Sequence, residues 1–207
     1  MTPYSAGVPM QARRTRLSPP TPQFIEEIYQ LAAADRIPWM WSGVQTRQGF
    51  YETFLHDVFV QFAIQDIRND QSVALVWAYD VSPFHGYCYV SMATHPDYRR
   101  RAWPLEGALL FANYLFTKLN LRNIYATAAG PQFEQFRSGS GNFFQVEGRL
   151  TERYIVNGEP EDLYILTFKR ERWLERGRLL LGSRLEPSDR QNGGPGSSRV
   201  GAVEIGH

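Results

Sequence analysis

Cysteine, lysine and long apolar runs are all scarce in this chain, and each scarcity excludes a class of protein. The one cysteine, Cys88, excludes an internal disulfide and a cysteine-rich metal site. No apolar run reaches the roughly 18 residues of a membrane span. Lysine occurs only at Lys118 and Lys169, and the formal net charge of +1 gives no bulk field that favours nucleic acid or an anionic membrane. No apolar segment follows the arginines at 13–16, so we expect no signal peptide and a cytoplasmic protein.

The two ends of the chain differ in composition from its middle. Residues 1–14 show no hydrophobic periodicity, and residues 177–207 are polar and rich in glycine and serine. We therefore predict a flexible N-terminal arm over 1–14, one folded domain over 15–176 and a flexible C-terminal tail over 177–207. An aromatic content of 14% suits a packed core in that domain.

Hydrophobic spacing in the domain predicts helices and strands in the order ααβββαβαββ. The predicted helices cover Thr21–Ala34, Gln48–His56, Pro104–Leu119 and Pro131–Phe136. The predicted strands cover Val58–Ile67, Ser72–Val81, Gly86–Thr94, Asn123–Thr127, Gln145–Ile155 and Asp162–Phe168. This order predicts an α+β fold, in which a mixed central sheet of six or seven strands is flanked by helices. The long helix should bury Leu105, Leu109, Phe111, Ala112, Leu115 and Phe116.

Two short segments carry a resemblance to a known family. His95–Arg101 reads HPDYRRR between a strand and the long helix, and Glu147–Leu150 reads EGRL before the Asn157-Gly158 turn. With this spacing between them in the sequence, the two segments resemble the GNAT superfamily of acyl-CoA-dependent N-acyltransferases. The likeness is greatest to its branch of RimJ/RimL-like ribosomal-protein and small-amine acetyltransferases. It spans about Leu17 to Trp173 and implies a GNAT-like fold that uses acetyl-CoA or another acyl-CoA as co-substrate.

The resemblance implies an acyl-CoA site on the third strand and the turn after it. The main chain of Met92, Ala93 and Thr94 would pair with the pantetheine arm as an added strand does. In the family, a glycine-rich turn and a helix N-terminus then bind the pyrophosphate. The matching residues here are Arg99, Arg100, Arg101, Ala102 and Trp103, followed by Pro104, which has no N–H. The arginines could bind phosphate instead; alternatively they form a solvated loop in which Trp103 is a packing residue.

The residues that the family uses for proton transfer are replaced in this chain. The position of a frequent catalytic glutamate corresponds to Tyr89, and the position of the tyrosine that protonates the thiolate lies near Gly139. Tyr89, Ser138 and Ser140 are the candidate catalytic residues. Alternatively, Tyr89 is a half-buried strand residue and the two serines belong to a flexible loop.

The acceptor side is marked by one aromatic cluster. The resemblance places Trp39, Met40 and Trp41 in a loop that forms a wall of the acceptor groove, where they would bind the acceptor or a partner chain, or only cover the core. No histidine spacing suits a metal ion, so we expect no metal site.

Two functions remain open at this point. The first is an N-acyltransferase that transfers an acetyl or other acyl group to a primary amine by direct attack; the amine would be a protein N-terminus, a polyamine or a small amine. The second is a catalytically reduced GNAT-fold protein that binds a protein partner, or its own copies as a homo-oligomer, within a larger assembly. We expect neither nucleic acid nor membrane as a partner.

Overall fold

The computed structural model describes residues 10–34, 46–56, 58–99, 101–137, 140–141, 143–156, 158–177 and 182. The strands are β1 (Thr15–Ser18), β2 (Val58–Asp66), β3 (Ser72–Ser82), β4 (Tyr87–Thr94), β5 (Asn123–Ala129), β6 (Gln145–Val156) and β7 (Glu159–Lys169). The helices are α1 (Pro22–Ala33), α2 (Arg47–His56), α3 (Ala102–Lys118), α4 (Gly130–Phe136) and α5 (Arg170–Arg172). A 3-10 turn covers Pro96–Tyr98, and a π-helical turn covers Trp173–Gly177.

All seven strands form one sheet in the order β1-β2-β3-β4-β5-β7-β6. Neighbouring strands are antiparallel except β4 and β5, which are parallel. A parallel pair needs a crossover connection, and α3 provides it between the end of β4 and the start of β5. The mixed sheet flanked by helices confirms the predicted α+β class. No helix among the described residues is long and apolar enough to cross a membrane.

Helices cover both faces of the sheet. Successive side chains of a strand point to opposite faces, so the central strands contribute buried residues to both. On the face that we call the front, Ala63, Leu75 and Ala93 pack with residues of α1 and α2. On the back, Phe62 and Val76 pack with residues of α3. The middle of β3 is buried on both faces, so its run of apolar residues does not alternate with polar ones.

The start of α1 shows why this segment is helical. The Thr21 side chain accepts a hydrogen bond from the Phe24 N–H at 3.2 Å, and Pro22 occupies the first helical position, where a missing N–H costs nothing. Phe24, Ile28 and Leu31 form its buried stripe. The predicted helix is therefore confirmed here.

The buried face of α3 agrees with the sequence prediction except at its start. Leu109, Phe111, Leu115 and Phe116 are buried, and Ala112 is half-buried. The prediction was wrong for Leu105, which is 42% exposed. The first turn instead presents Glu106 and Gly107 to the sheet, and an added Cβ at Gly107 would lie 2.4 Å from the Ile64 side chain.

Strand β1 was not predicted, and a buried carboxylate holds it against α3. Oε1 of Glu106 accepts hydrogen bonds from the Arg14 N–H at 2.9 Å, the Thr15 N–H at 3.0 Å and the Thr15 hydroxyl at 3.0 Å. Ala12, which lies in the predicted N-terminal arm, is fully buried. Residues 10–14 thus pack on the domain, whereas residues 1–9 lie outside the described part of the chain.

The C-terminal segment of the domain returns to α3. Trp173 stacks on Phe116 with ring centroids 6.1 Å apart, and its Nε1–H donates to Asn113 Oδ1 at 3.4 Å. The β6–β7 hairpin extends further than predicted because pairing continues out to Val156 and Glu159. Most of the predicted tail, 178–181 and 183–207, lies outside the described residues.

Candidate active site

A gap opens where β4 and β5 separate. The two parallel strands pair only from Tyr87 with Asn123 to Tyr89 with Tyr125. β4 then continues to Thr94 and β5 to Ala129 with no further pairing between them. The two strands therefore form a wedge in the middle of the sheet, whose narrow end lies at the Tyr89–Tyr125 pair.

The hydrogen-bond pattern of β4 shows which main-chain groups face this gap. The His95 N–H donates to the Val73 carbonyl at 3.0 Å, which fixes the phase of the antiparallel ladder with β3. In such a ladder, alternate residues point their N–H and C=O groups to opposite edges. Val90, Met92 and Thr94 therefore face the gap, and Ala93 faces β3.

This orientation corrects one predicted contact. The main-chain groups of Met92 and Thr94 face the gap, and their pairing with a ligand stays a prediction. The N–H and C=O of Ala93 do not face the gap, because they belong to the ladder with β3, and its side chain is fully buried in the front core. Val90, which was not predicted as a contact, faces the gap instead.

The start of α3 lies after β4 and presents its first N–H groups without a side-chain cap. Arg101 is the N-cap residue and makes no capping hydrogen bond through its side chain. The N–H groups of Ala102 and Trp103 follow, whereas Pro104 has none. Arg99 and Arg101 are exposed beside this helix start, and Arg100 lies outside the described residues.

The Trp103 side chain packs against neighbouring side chains and does not line the N-terminal end of α3. Its ring lies beneath the guanidinium of Arg14, whose Cζ is 3.3 Å from the ring centroid, and the corresponding distance for Arg101 is 5.2 Å. The Tyr98 ring contacts it at 5.8 Å. Trp103, the bulky residue of the predicted pyrophosphate turn, thus packs against Arg14, which precedes β1.

Tyr89 is half-buried at the narrow end of the gap. Burial, and next the negative charge of Asp80, raise the pKa of the Tyr89 phenol above its ordinary value. A phenol with a raised pKa stays protonated at neutral pH, so Tyr89 cannot act there as a base.

Cys88 lies beside Tyr89 but points into the core. It is fully buried, and burial raises the pKa of its thiol to about 12. Because the thiolate is the nucleophilic form, this cysteine is inert at neutral pH. It cannot carry an acyl group during a reaction.

Of the other predicted residues, the structure describes Ser140. Ser140 donates its N–H to the Arg137 carbonyl at 3.0 Å and forms a bridge with Phe144 in the loop after α4. Ser138, Trp39, Met40 and Trp41 lie outside the described residues.

Two features near the gap were not foreseen. Tyr79 and Tyr125 contact Tyr89 from the neighbouring strands, a cluster that forms only when β3, β4 and β5 are assembled. Separately, a pocket of about 440 Å³ lies between the start of α1 and the turn after β4. There the Nδ1 of His95 accepts the Asp97 N–H at 3.3 Å, so His95 is a turn residue.

Comparison with known proteins identifies this architecture. No family model matches the chain, and no curated protein matches its sequence. A solved spermidine N-acetyltransferase from Vibrio cholerae, in complex with CoA and spermine, is 20% identical; the match covers 77% of this chain and 98% of that one at a TM-score of 0.64. A GCN5-related N-acetyltransferase from Brucella melitensis is 20% identical and covers 87% and 88% at 0.63. A GNAT-family acetyltransferase from Bacillus anthracis is 16% identical and covers 78% and 98% at 0.62.

The chain therefore has the fold of the GNAT acetyltransferases, and the predicted resemblance is confirmed for the fold. Its assignment to the RimJ/RimL-like branch stays a prediction.

Proposed function

We propose that this protein is an acyl-CoA-dependent N-acyltransferase that acylates a primary amine by direct attack. The observation that carries the proposal is the gap between β4 and β5, where the main-chain groups of Val90, Met92 and Thr94 face no paired strand among the residues that the structure describes. The similar fold of a spermidine N-acetyltransferase solved with CoA and spermine supports it.

The residues around the gap fit an acyl-CoA. The free edge of β4 suits an extended, amide-containing chain, because peptide-like groups can pair there as a further strand would. The uncapped N–H groups of Ala102 and Trp103, with Arg99 and Arg101 beside them, suit the phosphates. The bound co-substrate would supply a thioester carbonyl as the electrophile.

The proposed acyl transfer then depends on how the amine and the thioester are positioned. An amine nitrogen forms a bond to the acyl carbon, the carbon–sulfur bond breaks, the nitrogen loses a proton and the sulfur gains one. Tyr89 is protonated and Cys88 is inert, so neither can remove the proton or hold the acyl group. We expect water to carry the protons, while alignment of the two reactants supplies most of the rate.

Two residues at the start of α3 favour a second function. Pro104 removes one N–H from the phosphate site, and Trp103 is packed under Arg14. A GNAT-fold protein with reduced catalysis that binds a partner in the cytoplasm would tolerate both changes. That reading needs no affinity for CoA.

Calorimetric titration with acetyl-CoA and with CoA separates the two functions. The enzyme proposal expects binding of both, followed by acylation of an amine detected by mass spectrometry. If neither ligand binds, the proposal is wrong and the scaffold function replaces it. Cys88→Ala is a useful companion variant, because full activity in it excludes a cysteine-bound intermediate.

A further inference from the structure

Trp103 occupies a position from which a bulky side chain can cover the proposed phosphate site. It is the second residue of α3 and directly follows Ala102. Helical side chains lean toward the N-terminus of their helix, and at this position no preceding turn restricts the indole. The ring can therefore swing across the N–H groups of Ala102 and Trp103, which have no side-chain cap.

Arg14 holds the indole away from these N–H groups. Its Cζ lies over the Trp103 ring, 3.3 Å from the ring centroid. A guanidinium this close to an indole face is attracted by the ring electrons and stacks on the ring plane. Arg101 contacts the same ring at the longer distance of 5.2 Å. Of these two arginines, Arg14 therefore restrains the indole more closely.

Arg14 is itself anchored through both its main chain and its side chain. Its N–H donates to Oε1 of Glu106 at 2.9 Å, and its Nη2 lies 3.4 Å from Oδ2 of Asp66. The Asp66 side chain is 4% exposed, and its Oδ1 accepts the Arg68 N–H at 3.1 Å. Because Arg14 is already ordered by these contacts, stacking on the indole costs it little further freedom.

Tyr98 restrains the indole from a second direction. Its ring centroid is 5.8 Å from that of Trp103, and the two ring planes are inclined at 49°. The Tyr98 hydroxyl donates to Oε1 of Gln71 at 2.5 Å, which ties this ring to the turn between β2 and β3. Trp103 is half-buried among these neighbours, whereas Ala102 is exposed. The first turn of α3 is thus open while its largest side chain is packed to one side.

We infer that Arg14 is a positioning residue for the binding of acyl-CoA. It stacks on Trp103 and keeps the indole off the N–H groups that would bind phosphate, and it does not itself touch the co-substrate. This inference rests on the proposed function and adds a residue to it from the segment before β1. The packing of Trp103 under Arg14 then serves the binding of CoA.

A double-mutant cycle on CoA affinity tests the inference. Calorimetry gives the Kd for CoA of the unmutated protein, Arg14→Ala, Trp103→Ala and the double variant. Arg14→Ala should weaken CoA binding about fivefold, because the released indole covers the phosphate site for most of the time. Trp103→Ala keeps the N–H and lacks the indole, so it should bind CoA at least as tightly as the unmutated protein.

The decisive comparison is Arg14→Ala in the two backgrounds. In the Trp103→Ala background, Arg14→Ala should have no further effect, because no indole remains to be held. A fivefold loss in both backgrounds overturns the inference, since Arg14 would then bind phosphate directly or support the local fold. The loss should also be the same at low and high salt, whereas a loss that fades with salt would indicate a direct phosphate contact and overturn the inference.

Two further variants control for charge and for folding. Arg13→Ala removes the same charge from an exposed neighbouring residue and should leave CoA binding unchanged; an equal loss in it overturns the inference. Should Arg14→Ala not fold, Arg14→Gln can still donate a hydrogen bond to Asp66 but offers the indole no cation. It should weaken CoA binding only when Trp103 is present, and full affinity in folded Arg14→Gln overturns the inference.

The same titrations distinguish this inference from the function beneath it. If the unmutated protein and Arg14→Ala bind CoA equally well, Arg14 has no positioning role and the N-acyltransferase proposal stands. If Trp103→Ala binds CoA and the unmutated protein does not, the indole already covers the site and the inference is wrong. If neither protein binds CoA, the proposed function is wrong and this inference fails with it.

Discussion

The gap between β4 and β5 and the start of α3 are neighbours, but they depend on different parts of the polypeptide. The gap is made by main-chain groups of Val90, Met92 and Thr94, whose orientation follows from the ladder with β3. The start of α3 depends on side chains, of which Trp103 packs under Arg14 and Glu106 holds β1. A main-chain site tolerates side-chain changes, whereas the helix start carries residues that pack against the N-terminal segment.

The largest expected effect concerns Glu106. Glu106→Ala should lower the free energy of unfolding by about 3 kcal/mol, because the N–H groups of Arg14 and Thr15 and the Thr15 hydroxyl lose a buried acceptor. Urea unfolding measures it. Glu106→Gln keeps one acceptor oxygen and should cost about 1 kcal/mol; equal losses in the two variants would contradict the role of the hydrogen bonds.

Removing one N–H from the gap tests the main-chain site. Met92→Pro should weaken CoA binding about tenfold, the value of one lost hydrogen bond, and leave the far-UV circular dichroism unchanged. Met92→Ala keeps the N–H and should retain the affinity. The contrast with Ala93→Pro is decisive: that N–H belongs to the ladder with β3, so this variant should lose folded structure. Similar behaviour of the two proline variants would show that the assigned ladder phase is wrong.

The arginines at the helix start should contribute less and in a salt-dependent way. Replacing Arg99 and Arg101 together by Ala should weaken CoA binding about fivefold at low ionic strength and hardly at all at high salt. Calorimetry across salt concentrations measures it. Arg68→Ala, in the exposed turn between β2 and β3, is the control and should change nothing. A salt-independent loss would mean that the arginines support the local structure instead of binding phosphate.

The smallest effect is expected at Tyr89. Burial and Asp80 raise the pKa of this phenol, so it remains protonated as pH rises through neutrality and adds no inflection to the rate profile. The rate should instead rise with pH as the acceptor amine loses its proton. Tyr89→Phe should lower kcat by less than about threefold, and a loss beyond roughly 100-fold would identify Tyr89 as a general acid or base.

Much of the fold could be predicted because local patterns specify its elements. The cap Thr21 with Pro22 starts α1, and Gly158, with a φ of +86°, suits the turn between β6 and β7. Strand β1 could not be predicted, because its four residues have no pattern of their own and it pairs with a distant β2. Leu105 was misassigned because helical spacing alone does not show that Gly107 brings the first turn of α3 against Ile64.

The sequence by itself determined the order of the four predicted helices and six predicted strands and the GNAT resemblance, because these depend on short-range periodicity and on motifs read along the chain. Only the tertiary structure decided that Met92 and not Ala93 faces the gap, since ladder phase depends on which residue of β3 is the partner. It also brought the rings of Tyr79 and Tyr125 into contact with that of Tyr89. Those residues are far apart in sequence and become neighbours only through strand pairing across the sheet.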